Sequence, residues 1–223
     1  MKLLIAIPAY NEEKSIRHVI EMIQDKMPGS DFVVINDGST DDTLKICKEI
    51  GCTVLDLPVN LGLSGAFGCA MKYAYKKDYD AVIQIDADAQ HDPANIQKLV
   101  DEMESTNCDV VIGSRYCESH APMTTLRGIG SRLITGLIKM RTHSTVYDPT
   151  SGMRLYNRKV IELFVNNDFM EPEPHTIAYL LKQGYKVDEV LVEMHEREAG
   201  ESYLQGLKVI RYMSHVCISI LLV

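Results

Sequence analysis

The chain has 223 residues, 46% of them hydrophobic and 24% charged, a balance ordinary for one sizeable α/β domain or one domain with an appendage. Its net charge of −8 argues against a nucleic-acid binder, which needs a basic face, but not against a nucleotide whose phosphates a metal masks. The six cysteines are scattered without a Cys-x-x-Cys pair, which reads as reduced core thiols of a cytoplasmic protein rather than a disulfide frame or zinc site.

Lys2 to Ile7 is an apolar run that predicts a buried strand stopped by Pro8. Met1 to Pro8 is too short for a signal peptide. Ile16, Val19, Ile20 and Ile23 then recur at helical spacing up to Pro28-Gly29. Phe32 to Ile35 predicts a second strand, and Asp41-Asp42 opens a helix with acids at the positive end of its dipole. Thr53 to Leu57 is a third strand, and a helix follows Asn60 to Gly65 and reaches about Lys76. Gly62, Gly65 and Gly68 lack the lysine and spacing of a phosphate loop, and suit close backbone approach or tight helix packing.

Ala81 to Ile85 predicts a fourth strand that ends in Asp86-Ala87-Asp88-Ala89-Gln90-His91. Alternation along a strand would point Asp86 and Asp88 the same way. Paired carboxylates repel, and a hard divalent cation relieves that; Mg²⁺ or Mn²⁺ takes oxygen ligands of this kind, with Gln90 as a neutral third. A solvated acidic loop is the alternative. Pro93 starts another helix, and Asp109 to Ile112 is a fifth strand ending at Gly113-Ser114-Arg115. This alternation predicts a parallel, doubly wound sheet, which binds ligands at the carboxyl ends of its strands. Pro8-Ala9-Tyr10, Asp37, Asp86/Asp88 and Arg115 all fall at such ends and together make a cleft.

Beyond Arg115 the rhythm changes. Cys117 to Thr125 reads as a loop, Leu126 to about Met140 as a helix, and Val146 to Tyr156 as a turn and a short strand. Val160 to Phe164 gives a turn or two of helix, and Glu171-Pro172-Glu173-Pro174-His175 precedes another. Lys186 to Met194 reads as a strand, His195 to Ser202 as a charged loop, and Tyr203 to Val223 as a final helix. No run reaches the roughly 18 apolar residues of a membrane span.

Ile7-Pro8-Ala9-Tyr10-Asn11-Glu12, Asn36-Asp37-Gly38-Ser39-Thr40-Asp41-Asp42-Thr43 and Asp86-Ala87-Asp88-Ala89-Gln90-His91-Asp92-Pro93 together form a specific signature. From residue 2 to about 205 the chain resembles family 2 glycosyltransferases, most of all the dolichyl-phosphate mannose synthase and polyprenyl-phosphate glycosyltransferase branch. The resemblance implies a GT-A fold: a Rossmann-like, mostly parallel sheet flanked by helices, with a C-terminal acceptor-side region. Residues 1–115 would form the nucleotide-sugar-binding half, 116–202 the acceptor-side half of the same domain, and 203–223 a C-terminal amphipathic helix.

Carried onto this sequence, the resemblance places Pro8, Tyr10 and Glu12 in a nucleoside pocket. Asp37 would accept from the base, or else cap the helix at Asp41. Asp86, Asp88 and Gln90 would hold Mg²⁺ or Mn²⁺ and the diphosphate, with His91 nearby. Asp148, Glu171 and Glu173 are candidate catalytic acids near the acceptor, or caps and surface residues. An acceptor hydroxyl needs a base, whereas an anionic phosphate acceptor needs mainly positioning and charge compensation. Arg197 to Ser202 matches an Arg-x-x-Gly-x-Ser loop, so Arg115, Arg197 and Ser202 would meet phosphate oxygens. His195, Arg127 and Arg132 are weaker candidates for the same role.

The expected activity is an inverting, metal-dependent transfer of a sugar from a UDP- or GDP-sugar to a polyprenyl phosphate or a cell-surface glycan. A nucleotidyltransferase acting on a sugar phosphate is the first alternative, but the first loop lacks its glycines and basic residues. A non-catalytic nucleotide-sugar-binding protein is the second. Lys208 and Arg211 beside apolar residues suit a helix lying on the inner face of a membrane, and equally a helix packed on the sheet or forming a homo-oligomer face.

Overall fold

The computed structural model describes residues 1–117, 126–167, 170–194 and 207–223. Seven strands form one sheet: β1 (Leu3–Ala9), β2 (Asp31–Asn36), β3 (Val54–Asp56), β4 (Ala81–Gln84), β5 (Val110–Ser114), β6 (Arg154–Asn157) and β7 (Val187–Leu191). Their order is β3-β2-β1-β4-β6-β5-β7. All pairings are parallel except those of β6, which runs antiparallel between β4 and β5.

The parallel strands are apolar because both faces of the sheet are covered. Helices α1 (Ile16–Lys26), α2 (Thr43–Ile50) and α4 (Ile96–Thr106) pack on one face. Helices α3 (Gly62–Lys76), α5 (Leu126–Thr142), α6 (Arg158–Asn166), α7 (Pro174–Lys182) and α8 (Leu207–Leu222) pack on the other. A single 3₁₀ turn, Pro93–Asn95, leads into α4, with the Asp92 carboxylate accepting from the Ala94 amide. No helix among the described residues is long and apolar enough to cross a membrane.

Most elements lie where hydrophobic periodicity places them, and the differences have local causes. Pro8 does not stop β1, which continues to Ala9 along β2. The Ala6 carbonyl accepts from Ile85 on the β4 side, so Pro8, two residues on, turns its N–H-less nitrogen to that side, where β4 has ended. The same early end of β4 overturns the expectation that Asp86 and Asp88 share a strand face: both lie in the turn beyond it, where Ala89 has φ +62°.

Under β1, β4 and β6, the rings of Phe67 on α3, Tyr156 on β6 and Phe164 on α6 meet with centroids 5.6–5.7 Å apart, two of the three pairs edge to face. Phe67 is fully buried among them. Phe67→Ala should therefore cost about 3–5 kcal/mol, read as a shift in the urea midpoint at unchanged m-value. A loss well under about 1 kcal/mol would mean that this trio does not anchor the core.

Candidate active site

The carboxyl ends of β1, β2, β4 and β5 carry the site. The loop after β1 and the loop after β2 are fastened together. Asn11, at φ 55°, donates its amide to Ser39 Oγ at 3.0 Å and accepts the Thr40 amide on Oδ1 at 2.8 Å. The Glu12 amide donates to Thr43 Oγ1 at 2.8 Å, and that hydroxyl donates to Asp41 Oδ1 at 2.6 Å. The Glu13 amide donates to Asp41 Oδ2, and Glu13 Oε2 accepts from the Asp42 amide, both at 3.1 Å. Glu12 Oε2 accepts from the Ser15 hydroxyl at 2.7 Å, so this carboxylate braces the loop. Tyr10 stands exposed beside it, and Pro8 is half-buried.

Asp37 is buried and does not cap α2. Its Oδ1 accepts from the Leu61 amide at 2.7 Å, which ties the β2 end to the segment entering α3. Gly38, at φ +67°, lies so close to that segment that a Cβ would sit 2.7 Å from Asn60 N and Val59 C; only glycine fits.

Beyond β4, Asp86 is partly exposed and Asp88 is buried. Asp86 Oδ1 accepts from Gln84 Nε2 at 2.9 Å, and the buried Gln84 Oε1 has no partner. Asp88 Oδ1 accepts from the Gln90 amide at 3.1 Å, so the Asp88 carboxylate shapes the turn that carries Gln90. His91 Nδ1 accepts from the Asp86 amide at 3.1 Å, and its Nε2 faces Asp86 Oδ2 at 3.7 Å. The backbone of Gly152 closes the other side: a Cβ there would lie 2.8 Å from Asp86 Oδ2.

Gly152 reaches this place because the segment 148–152 enters antiparallel β6 between β4 and β5. Asp148, the first residue of that segment, is fully buried. Its two oxygens receive Arg115 Nε and Nη2 at 2.8 Å each, and the Arg115 amide at 3.0 Å. Arg115 Nη2 also donates to Thr150 Oγ1 at 3.1 Å. The hydrogen bonds to Asp148 hold the Arg115 guanidinium firmly protonated. Two residues assigned separate roles from sequence thus form one bidentate pair. Behind it, Glu189 on β7 accepts the Tyr147 and Asp148 amides at 2.6 and 2.8 Å, and burial raises its pKa. Sequence reasoning passed over Glu189, although an acid inside the short strand run Val187 to Leu191 is the kind of signal that marks a buried brace.

Glu171 and Glu173 lie apart from this pair. Glu173 occupies the N-cap position of α7 without capping it; its Oε2 accepts from Tyr212 on α8 at 2.6 Å. Burial raises the Glu173 pKa, offset by that hydrogen bond and by the charge of Arg154. Glu171 Oε2 lies 3.6 Å from His175 Nε2. Arg197, Ser202 and His195 lie outside the described residues, as does the Arg127 side chain; Arg132 is exposed on α5. No three His, Cys, Asp or Glu side chains among the described residues converge as a closed metal cage.

A mostly parallel seven-stranded sheet with helices on both faces and an Asp-x-Asp segment beyond its fourth strand matches the GT-A fold of glycosyltransferases. The solved glucosyl-3-phosphoglycerate synthase of Mycobacterium tuberculosis, crystallised with Mn²⁺, UDP and phosphoglyceric acid, superimposes with a TM-score of 0.71 over 99% of this chain and 77% of that one, at 20% identity. The chain belongs to glycosyl transferase family 2, whose model matches residues 4–164. It is 25% identical to a polyprenol monophosphomannose synthase of Mycolicibacterium smegmatis over 92% of this chain and 82% of that protein. It is 26% identical to an undecaprenyl-phosphate mannosyltransferase of Micrococcus luteus, over 92% and 88%. It is 28% identical to a dolichol-phosphate mannosyltransferase of Pyrococcus furiosus, over 97% and 63%.

His175 offers a pH test of the region around Glu173. Burial, then His215 and Arg154, lower its pKa to about 4. An unfolded histidine titrates near 6.5, so the folded state binds fewer protons between these values and is destabilised as the pH falls from about 6.5 towards 4. Melting temperatures followed from pH 7 to pH 4.5 should drop less steeply in His175→Gln than in the parent protein. Parallel curves would contradict a neutral buried ring.

Proposed function

We propose that this glycosyltransferase moves a sugar, with inversion, from a UDP- or GDP-sugar to a polyprenyl phosphate. The observation that carries the reading is the Asp86/Asp88 turn at the mouth of β4, enclosed by the fastened β1 and β2 loops on one side and by Gly152 on the other. Residues 1–115 supply the donor floor, with Tyr10, Pro8 and Asp37 towards the nucleoside, and the segment from 116 onward supplies the acceptor side.

Asp86, Asp88 and Gln90 suit Mg²⁺ or Mn²⁺: the donors are hard oxygens, and the unpartnered Gln84 Oε1 adds an unsatisfied acceptor next to Asp86. Such a site needs only one or two carboxylates when diphosphate oxygens complete the shell, which accords with the absence of a closed cage among the described residues. The ion, when bound, offsets charge developing on the leaving diphosphate. The chain's own residues orient the donor. Asp86 is held by Gln84 and Gly152, and Arg115 is clamped by Asp148, leaving Nη1 without a hydrogen bond among the described residues.

What two of the three candidate acids already do supports one acceptor class. Asp148 has both oxygens on Arg115, and Glu173 is bound by Tyr212, so neither stands ready as a base for a hydroxyl. A phosphate acceptor is already anionic and needs none. This favours a lipid phosphate over a growing glycan. Exposed Ile129, Leu133 and Met140 on α5 and Ile218, Leu221 and Leu222 on α8, flanked by exposed Arg132, Lys139 and Arg211, suit contact with a membrane surface. The relatives named for polyprenol and dolichol phosphate mannose transfer support the same acceptor.

Calorimetry with UDP and GDP, each with and without Mn²⁺, tests the donor site. One nucleotide should bind only with the metal, and Asp88→Ala should weaken that binding by at least about tenfold, or 1.4 kcal/mol. Gly152→Ala should weaken it comparably, because its Cβ would meet Asp86 Oδ2 at 2.8 Å. Failure of both nucleotides under both conditions would refute the donor reading.

A further inference from the structure

Asp37, Asp109 and Asp148 are all buried. A carboxylate taken out of water needs donors for its oxygens. Asp109 and Asp148 have them within the protein. Asp109 Oδ1 accepts from Asn157 Nδ2 at 2.8 Å and its Oδ2 from the Lys186 amide at 2.9 Å. Asp148 has Arg115 on both oxygens. Asp37, at 3% exposure, has only the Leu61 amide, 2.7 Å from Oδ1, among the described residues. Its Oδ2 is not one of the side-chain atoms sealed from solvent without a partner, as Asn36 Oδ1 and Gln84 Oε1 are. That oxygen is therefore an acceptor opening outward at the carboxyl end of β2.

The backbone around it is fixed. The Asp37 amide donates to the Ala9 carbonyl at 2.9 Å. Gly38 is pressed so closely on the next segment that a Cβ would lie 2.7 Å from Asn60 N. One carboxylate oxygen is thus spent on Leu61 and one is left. Tyr10, which follows Ala9, is 47% exposed, and Leu61 is 51% exposed. A planar base that reaches Asp37 Oδ2 lies beside these two apolar side chains.

We propose that Asp37 makes the donor site selective for uracil, so that the sugar donor is a UDP-sugar. This rests on the reading of the β1 and β2 loops as the nucleoside side of the site, and narrows its UDP or GDP to one. Uracil offers one N–H donor on its pairing edge, N3–H, which matches one outward acceptor. Cytosine places an acceptor, N3, at that point, and two acceptors repel. Guanine brings two adjacent donors, N1–H and the N2 amino group, which suit both oxygens of a carboxylate. The Leu61 amide already holds the second oxygen, so one guanine donor loses its partner.

Calorimetry on the full chain with Mn²⁺ present tests this with UDP, CDP, GDP and UDP methylated at N3. UDP should bind the parent protein at least about tenfold more tightly than each of the other three, as expected of a site built around one hydrogen bond. Asp37→Asn keeps the shape of the side chain. Its Oδ1 still accepts from Leu61, which turns Nδ2, a donor, outward. Cytosine N3 can accept from that donor and uracil N3–H cannot. CDP should therefore bind the variant more tightly than UDP, the reverse of the parent order. The melting temperature shows whether the variant is folded, and the comparison on the parent protein needs no variant. GDP binding the parent as tightly as UDP would overturn the proposal, and so would a folded variant that still prefers UDP to CDP. Failure of UDP, CDP and GDP alike would refute the donor reading itself, and this proposal with it.

Discussion

A fully buried carboxylate has to be answered, and at Asp148 the answer organises the acceptor half of the molecule. Three donors from Arg115 converge on it, and its own backbone amide and that of Tyr147 are held by Glu189. Stripping one partner from such a pair strands the other charge and costs several kcal/mol, so the arrangement is all or nothing. The ends of β5 and β7 and the entry to β6 are locked to one another through it. Antiparallel β6 then delivers Gly152 to Asp86, and the donor side inherits its geometry from the same lock.

The electrostatic consequence concerns charge balance. Arg115 is paired with Asp148, and Arg154 is buried with its donors on the Ser151 and Pro149 carbonyls, so neither arrives at the cleft as an unencumbered cation. The chain as a whole carries −8. A diphosphate approaching Asp86 and Asp88 would meet more negative than positive charge from the described residues alone. That imbalance supports the proposed Mg²⁺ or Mn²⁺ on grounds separate from the sequence signature.

Much of this was legible in the sequence. Buried parallel strands write themselves as short apolar runs, and helices as Ile16-Val19-Ile20-Ile23 patterns, because each face is satisfied by its own neighbours. The loops after β1, β2 and β4 were legible because their residue types are dictated locally: Gly38 by a positive φ and a crowded neighbour, Asn11 by a left-handed turn. What could not be read was anything settled across the chain. The Arg115–Asp148 pair spans 33 residues and Tyr212–Glu173 spans 39, and nothing in local spacing announces either. The continuation of β1 through Pro8 was hidden for the same reason, since the decisive fact is where another strand ends.

The sheet is closed at its β3 edge by a strand of only three residues, Val54 to Asp56, ending in a charge. So short a border gives an incoming strand few ladder bonds to complete. Two copies of the molecule would gain little by running their sheets together there. The opposite border, β7, is five residues long, from Val187 to Leu191, and so offers an incoming strand more of a ladder than β3 does.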